Sequence, residues 1–256
     1  MDDFSHRSGT ALVVGGSGGL GRTIARLLAE RGSAVAVTWH AGERAALRVV
    51  DEAAATGVRS RAWQLDVTSS AHAATVVEEV AAHFGGLHTL VYAAGPEVPI
   101  AHLSRIDPAM LEEQVRVDVS GFFAVAHPAL PHLRRASGSL VAVTTAATAR
   151  YPVRDGLSSV PKGAIEALVR ALAVEEGKYG VRANSVGPGM LADGMADRLI
   201  ASGELDQRAL EVARSNIPLR RFGVAADVAE AVCFLASPRA GFISGQKLDV
   251  DGAYGA

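Results

Sequence analysis

The twelve residues from Thr10 to Gly21, TALVVGGSGGLG, constrain the fold more than any other stretch of the chain. Ala11 to Val14 form an apolar run suited to a strand buried on both faces of a parallel sheet. Gly15, Gly19 and Gly21 follow where a tight turn, a close backbone approach and close helix packing each exclude a side chain. Ile24, Leu27 and Leu28 then recur at helical spacing, so the segment reads as strand, turn and helix. A helix that begins on such a turn aims its N-terminal amides and the positive end of its dipole at an anion. A glycine-rich turn alone is weak, since hairpins use them too, but here both flanks are what a dinucleotide-binding turn requires. Ser17 and Leu20, inside the same turn, join the three glycines as candidate cofactor contacts.

Downstream, apolar runs and helical periods alternate. Ala34–Thr38, Val58–Leu65, Leu87–Ala93, Ser139–Thr144, Val181–Val186 and Lys247–Val250 read as strands. Helices are expected at Glu43–Thr56, Ala71–Phe84, Leu111–Arg135, Ala164–Tyr179 and Ala225–Leu235, with Pro128 and Pro131 bending or breaking the third of these. From Met190 to Ser215 the pattern weakens into an expected mobile substrate flap. The alternation predicts an α/β fold, a single Rossmann-like doubly wound parallel sheet with helices on both faces, across one domain of residues 1–256.

Composition excludes several functions. With 25 basic against 27 acidic residues and no block of like charge, nothing recommends nucleic acid or an anionic membrane as partner. No apolar run reaches the length of a membrane span, and the polar start MDDFSHRSG is unlike a signal peptide. Cys233 is the only cysteine, so no internal disulfide forms, and a cytoplasmic location is expected. The eight histidines are scattered, and His127 and His132 lack the i, i+4 spacing of a helical metal pair, so no metal is expected.

Motifs in a fixed order resemble the short-chain dehydrogenase/reductase family from about Thr10 to Gly252. They are Gly15-x3-Gly19-x-Gly21, Asp66-Val67, Ala93-Ala94-Gly95, Lys162, Asn184 with Pro188-Gly189, and Asp251-Gly252. The resemblance implies a nicotinamide dinucleotide held by the glycine turn, Asp66, Val67, Ala93, Ala94, Gly95, Lys162, Pro188 and Gly189. It also implies a catalytic set in which a Tyr four residues before the Lys gives the proton, a Ser positions the substrate oxygen, and an Asn helps to hold a relay water. Here those three places hold Ser158, Thr145 and Asp118.

Thr145 keeps a hydroxyl that can bond a substrate oxygen. Ser158 does not keep the chemistry, because an aliphatic hydroxyl is a far weaker acid than a phenol and is too short to reach as far. Ser158 and Ser159 also precede Pro161, so one of them reads equally well as a helix N-cap. Tyr151 and Asp155, eleven and seven residues before Lys162, are the replacement acids in reach, each also readable as a plain loop residue. Enoyl thioester reductases of the same family carry their Tyr at the seven-residue place, and Arg150-Tyr151 and Ala164–Leu168 resemble one branch of them. The 2,4-dienoyl-CoA reductases put Ser at the place of Ser158 and resemble Gly177–Gly180, but their upstream Tyr place is Ala147 here.

The expected function is an NADP(H)-dependent reductase of a small or thioester-linked substrate, with an activated C=C favoured over a ketone or imine. The alternative from another class is a nucleotide-binding sensor or structural subunit without turnover. NADP(H) is preferred to NAD(H) because Val37-Thr38-Trp39-His40 offers no acid to hold a ribose 2′-hydroxyl, while His40 and Arg44 suit a 2′-phosphate. Small residues in Leu111–Arg135 and Ala164–Tyr179, among them Ala124, Ala126, Ala129, Ala164, Ala167 and Ala171, together with the family resemblance, point to a homotetramer.

Overall fold

In the computed structural model, which describes residues 2–96, 98–193 and 207–256, seven parallel strands form one sheet in the order β3-β2-β1-β4-β5-β6-β7. The strands are β1 (Thr10–Val14), β2 (Val35–Trp39), β3 (Ser60–Gln64), β4 (Leu87–Tyr92), β5 (Ser139–Val143), β6 (Arg182–Pro188) and β7 (Lys247–Val250). Between them run α1 (Gly19–Glu30), α2 (Glu43–Ala54), α3 (Ser70–Phe84), α4 (Pro108–Val115), α5 (Gly121–Ala136), α6 (Gly156–Glu176), α7 (Gln207–Ser215) and α8 (Ala225–Ala236). Strand order reverses between β1 and β4, and at such a switch point the C-terminal strand ends open a crevice for a ligand.

Alternate residues of the central strands feed two separate cores. Leu12 and Val14 of β1 join Val76 and Val80 of α3, Phe122 and Val125 of α5, and Ile165 of α6. Ala11 and Val13 face the other way, onto Ile24 and Leu28 of α1, Val49 of α2 and Val228 and Val232 of α8. A strand buried on both faces is mostly apolar, which is why β1, β4 and β5 stand out in the sequence; their buried polar residues, Thr10, His88, Thr89 and Ser139, are hydrogen-bonded. Among the described residues, no helix is long and apolar enough to cross a membrane.

Two helical expectations need correction. Pro128 and Pro131 lie inside α5, which runs on to Ala136 without a break. Each proline removes the donor to the carbonyl four residues earlier, at Ala124 and His127, residues that are half-buried and exposed, so water can supply the bond. Burial of Val125, Ala129, Leu130 and Leu133 on the inner side outweighs the loss. The irregularity falls earlier, as a π-helical turn at Arg116–Ser120. Helix α6 starts eight residues sooner than expected, at Gly156, so Ser158 and Ser159 lie in its first turn and neither is the N-cap. Asp155 holds the N-cap position without a side-chain cap bond, and Ser159 Oγ donates to the Asp155 carbonyl at 3.0 Å. Half of the expected flap at Met190–Ser215, residues 194–206, lies outside the described residues; its described parts include Leu191, bridged to Gly223, and α7.

The polar start hides a packed element. Phe4 is buried and stacks on His88 of β4 with ring centroids 5.9 Å apart, while Asp3 pairs with the buried Arg31. Burial, with a smaller push from Arg7, lowers the His88 pKa to about 3, from the 6.5 of a free imidazole. Below 6.5 the unfolded chain takes a proton that the native ring refuses. The stability tied to a neutral His88 is therefore complete above 6.5 and is lost as pH falls toward 3. Urea titrations between pH 7 and pH 4 should show the His88→Gln variant losing less stability over that interval than the parent; an equal loss would assign the acid sensitivity to other groups.

Candidate active site

The turn after β1 is built from backbone packed on backbone. Gly15 has φ +80°, and a Cβ there would lie 2.8 Å from the Ala94 backbone. Gly21 lies so close under Gly15 that a Cβ would stand 2.2 Å from the Gly15 carbonyl oxygen. Gly19 differs, since a Cβ at its position meets nothing within 4 Å. Gly15 and Gly21 are thus required by the fold, whereas the packing sets no such requirement at Gly19. The residues fit a pyrophosphate at that helix start.

The structure brings Gly15, His40, Asp66, Val67, Ala94 and Gly95 together around a cavity of about 430 Å³ at the C-terminal ends of β1, β2 and β4. Asp66 accepts from the Thr68 hydroxyl at 2.7 Å and the Thr68 amide at 2.9 Å, and these bonds, hydroxyl first, hold its carboxyl below the usual carboxylate range. Arg44 does not line this cavity; it lies with Arg48 around the exposed start of α2, where Gly42 faces the Ser17 hydroxyl. Arg116 and Glu113 also line the cavity and pair with each other at 2.7 Å, a pair that the motif reading did not single out. Leu20 is half-buried and packs on the core of the α1 face. The Ala93 amide donates to the Val14 carbonyl at 2.9 Å, carrying the β1–β4 pairing up to the turn.

Lys162 and Asp118 form the polar centre. Lys162 Nζ lies 2.8 Å from Asp118 Oδ1, with Asp118 only 1% exposed, and Gln114 Nε2 donates to the other carboxylate oxygen at 3.0 Å. Gln114, at the end of α4, is four residues before Asp118, which lies in the π-helical turn that follows, and both side chains are buried. Gly95 faces this pair, since a Cβ there would lie 3.0 Å from Lys162 Nζ. Thr145 ends the β5 segment in extended conformation, and its Oγ1 accepts from the Ala147 amide at 3.1 Å, leaving its hydrogen free for an incoming oxygen.

The replacement acids lie on the segment leading into α6 and at its start. Tyr151 is 61% exposed, with its hydroxyl beside Gly163 on α6. Asp155 is half-buried at the start of α6, where burial raises its carboxyl pKa. Ser158 stands one turn before Lys162. Asn184 is fully buried, donating to the Ile243 carbonyl at 2.8 Å and accepting from the Gln246 amide at 3.0 Å, so it ties β6 to the segment before β7. Pro188 ends β6, and Gly189 packs against the Asp251 backbone, where a Cβ would come within 2.7 Å.

Comparison with known proteins agrees with this geometry. A family model described as enoyl-(acyl carrier protein) reductase matches residues 15–255. Versicolorin reductase 1 of Aspergillus parasiticus is 34% identical over 248 residues, 94% of each chain. The 3-oxoacyl-[acyl-carrier-protein] reductase FabG of Staphylococcus aureus is 34% identical over 244 residues, 95% of this chain and 96% of the relative. A short-chain type dehydrogenase/reductase from Mycobacterium ulcerans superposes with TM-score 0.89 at 30% identity, covering 98% of this chain and 91% of that one. The chain belongs to the short-chain dehydrogenase/reductase family. It is therefore an oxidoreductase that uses a nicotinamide dinucleotide. A family structure from Burkholderia cenocepacia in complex with NADP superposes with TM-score 0.88 at 30% identity over 98% of this chain and all of that one.

In this short-chain reductase, Gly19→Val is expected to unfold within about 2 °C of the parent while weakening NADPH binding about tenfold or more. Gly21→Ala should lose both fold and binding, because its new methyl group meets the Gly15 carbonyl. Thermal melts and NADPH fluorescence titrations separate the two. Unchanged affinity in Gly19→Val would remove the pyrophosphate from this turn.

Proposed function

We propose that the protein is an NADP(H)-dependent reductase of an activated C=C, conjugated to a thioester or ketone. The observation that carries this reading is Ser158, which stands where a phenol would be needed beside Lys162, while the Lys162 ammonium is held by Asp118. A nicotinamide bound at the crevice supplies hydride. Thr145 donates its free hydroxyl hydrogen to the substrate oxygen and stabilises the enolate that conjugate reduction leaves there. Ketone reduction needs a proton on that oxygen as charge develops, and a missing acid costs roughly 10²- to 10⁴-fold. Asp155, with its raised pKa, and Tyr151 are the groups from which a later proton reaches carbon. The family model's description, an enoyl reductase, favours the same reading, while the 3-oxoacyl specificity in the FabG relative's name favours ketone reduction as the second.

Purified protein is expected to oxidise NADPH faster with crotonyl-CoA than with acetoacetyl-CoA. Ser158→Ala should change the crotonyl rate little, and Ser158→Tyr should raise the acetoacetyl rate tenfold or more. Faster ketone turnover by the parent, or loss of all turnover in Ser158→Ala with NADPH binding intact, would replace the proposal with an atypical ketoreductase. NADPH bound but oxidised no faster with any substrate offered would indicate a sensor.

The cofactor preference rests on the end of β2, which carries His40 and no acid, and on Arg44 at the start of α2 beside Gly42 and Ser17. An arginine there suits a 2′-phosphate. Parallel titrations should give tighter binding of NADPH than NADH, with Arg44→Ala weakening only NADPH; tighter NADH binding by the parent would refute the preference.

A homotetramer is proposed on the outer face of α6. Val160, Ala164, Ala167, Ala171 and Val174 are all exposed along it, whereas Ala126 and Ala129 of α5 are buried against their own sheet. Small residues at helical spacing let a second helix approach closely, and closed symmetry is the common outcome. Light scattering at micromolar concentration should return four chains; a monomer mass would reject the idea.

A further inference from the structure

Beside the Lys162 centre lies a second buried charged cluster that the proposed reaction does not use directly. Glu166, one turn beyond Lys162 on α6, is only 6% exposed. Its carboxylate accepts from the Thr144 hydroxyl at 2.8 Å and from the Thr148 hydroxyl at 2.9 Å. Lys247 of β7 donates to Thr148 Oγ1 at 2.6 Å and lies 3.5 Å from Glu166 Oε1. Asp249 Oδ1 is 2.9 Å from the same ammonium and forms an ion pair with it.

A buried carboxylate persists only where hydrogen bonds and a cation compensate its desolvation. Here the compensating hydroxyls come from the residues on either side of Thr145. Thr148 has a single hydroxyl hydrogen with three acceptors near it, both Glu166 oxygens and the Thr145 carbonyl at 3.2 Å. The charged acceptor binds it more strongly, and Lys247 fills a lone pair on the same oxygen. The segment Thr144–Thr148, which contains Thr145, is thereby fastened at both ends to the helix that carries Lys162, and at Thr148 to β7 as well.

We propose that Glu166, with Thr148 and Lys247, is the positioning group that holds the Thr145 hydroxyl in register with Lys162. Glu166 and Lys247 touch neither substrate nor cofactor in this scheme; they act through Thr145. The proposal rests on the reading that Thr145 meets the substrate oxygen. Displacement of a reacting group by about 1 Å is enough to lower a rate roughly 100-fold, so a tether of this kind is visible in kcat.

The test uses Thr148→Val, which keeps the shape of the side chain, and Glu166→Gln, which keeps its volume. Amide exchange of Ala147, whose N–H bonds Thr145 Oγ1, needs no substrate. It should quicken at least tenfold in both variants, while α6 amides and NADPH affinity stay within twofold of the parent. With crotonyl-CoA or acetoacetyl-CoA, whichever the parent reduces, kcat should fall 10- to 100-fold with little change in NADPH KM. The loss should vanish when the same substitutions are made in a Thr145→Val background. Unchanged Ala147 exchange, or equal further losses in that background, would overturn the proposal. If Thr145→Val itself left turnover intact, the reading of Thr145 would fail instead, and the exchange result would still decide whether Glu166 fastens the turn.

Discussion

The close approach of backbone to backbone at the end of β1 is the constraint from which the rest of the structure follows. Gly15 lies against Ala94, Gly16 against Val37 and Gly21 against the Gly15 carbonyl, so one turn is packed on β4, on β2 and on its own helix at once. Strands β1, β2 and β4 therefore end at one level, and α1 leaves the sheet at a fixed angle with its amides toward the crevice. The same contacts that close the core create the place for a dinucleotide. No side chain can be added to Gly15 or Gly21 without moving an element, while the space beside Gly19 is open.

On the other side of the crevice the polar groups are few and tied down. Lys162 is paired with a buried carboxylate, and Gln114 takes up the other oxygen of that carboxylate. An ammonium neutralised in this way can bind a ribose hydroxyl but presents less positive charge to a developing oxyanion than a lone one. Thr145 accepts from the Ala147 amide, which leaves its hydroxyl hydrogen available as a donor. The absence of a phenol at position 158 is what supports the proposal of chemistry in which oxygen carries charge without being protonated at once.

The strands were legible because a parallel sheet buries both faces, so β1, β4 and β5 appear as mainly apolar runs, broken in β4 by the buried His88 and Thr89. The motif positions Gly15, Lys162 and Asp118 were legible for a different reason, since their order along the chain carries the information. Helix α6 was not read to its start: Ser158, Ser159 and Pro161 form a plausible helix opening, and only the packing of Leu157 and of the buried Ser159 shows that the helix has already begun. Phe4 was hidden among polar neighbours. Glu166 was not singled out in the sequence, because its partners come from two distant places in the chain, Thr144 and Thr148 after β5 and Lys247 on β7. Long-range partners of buried charge leave no local pattern.

An enone offers both reducible groups in one molecule and tests the conjugate-reduction proposal most directly. Reduced with NADPH carrying deuterium at the transferred position, the product can be read by mass and by NMR. Conjugate reduction places the deuterium on the carbon β to an intact carbonyl. Deuterium on a carbinol carbon, with the double bond retained, would contradict the proposal.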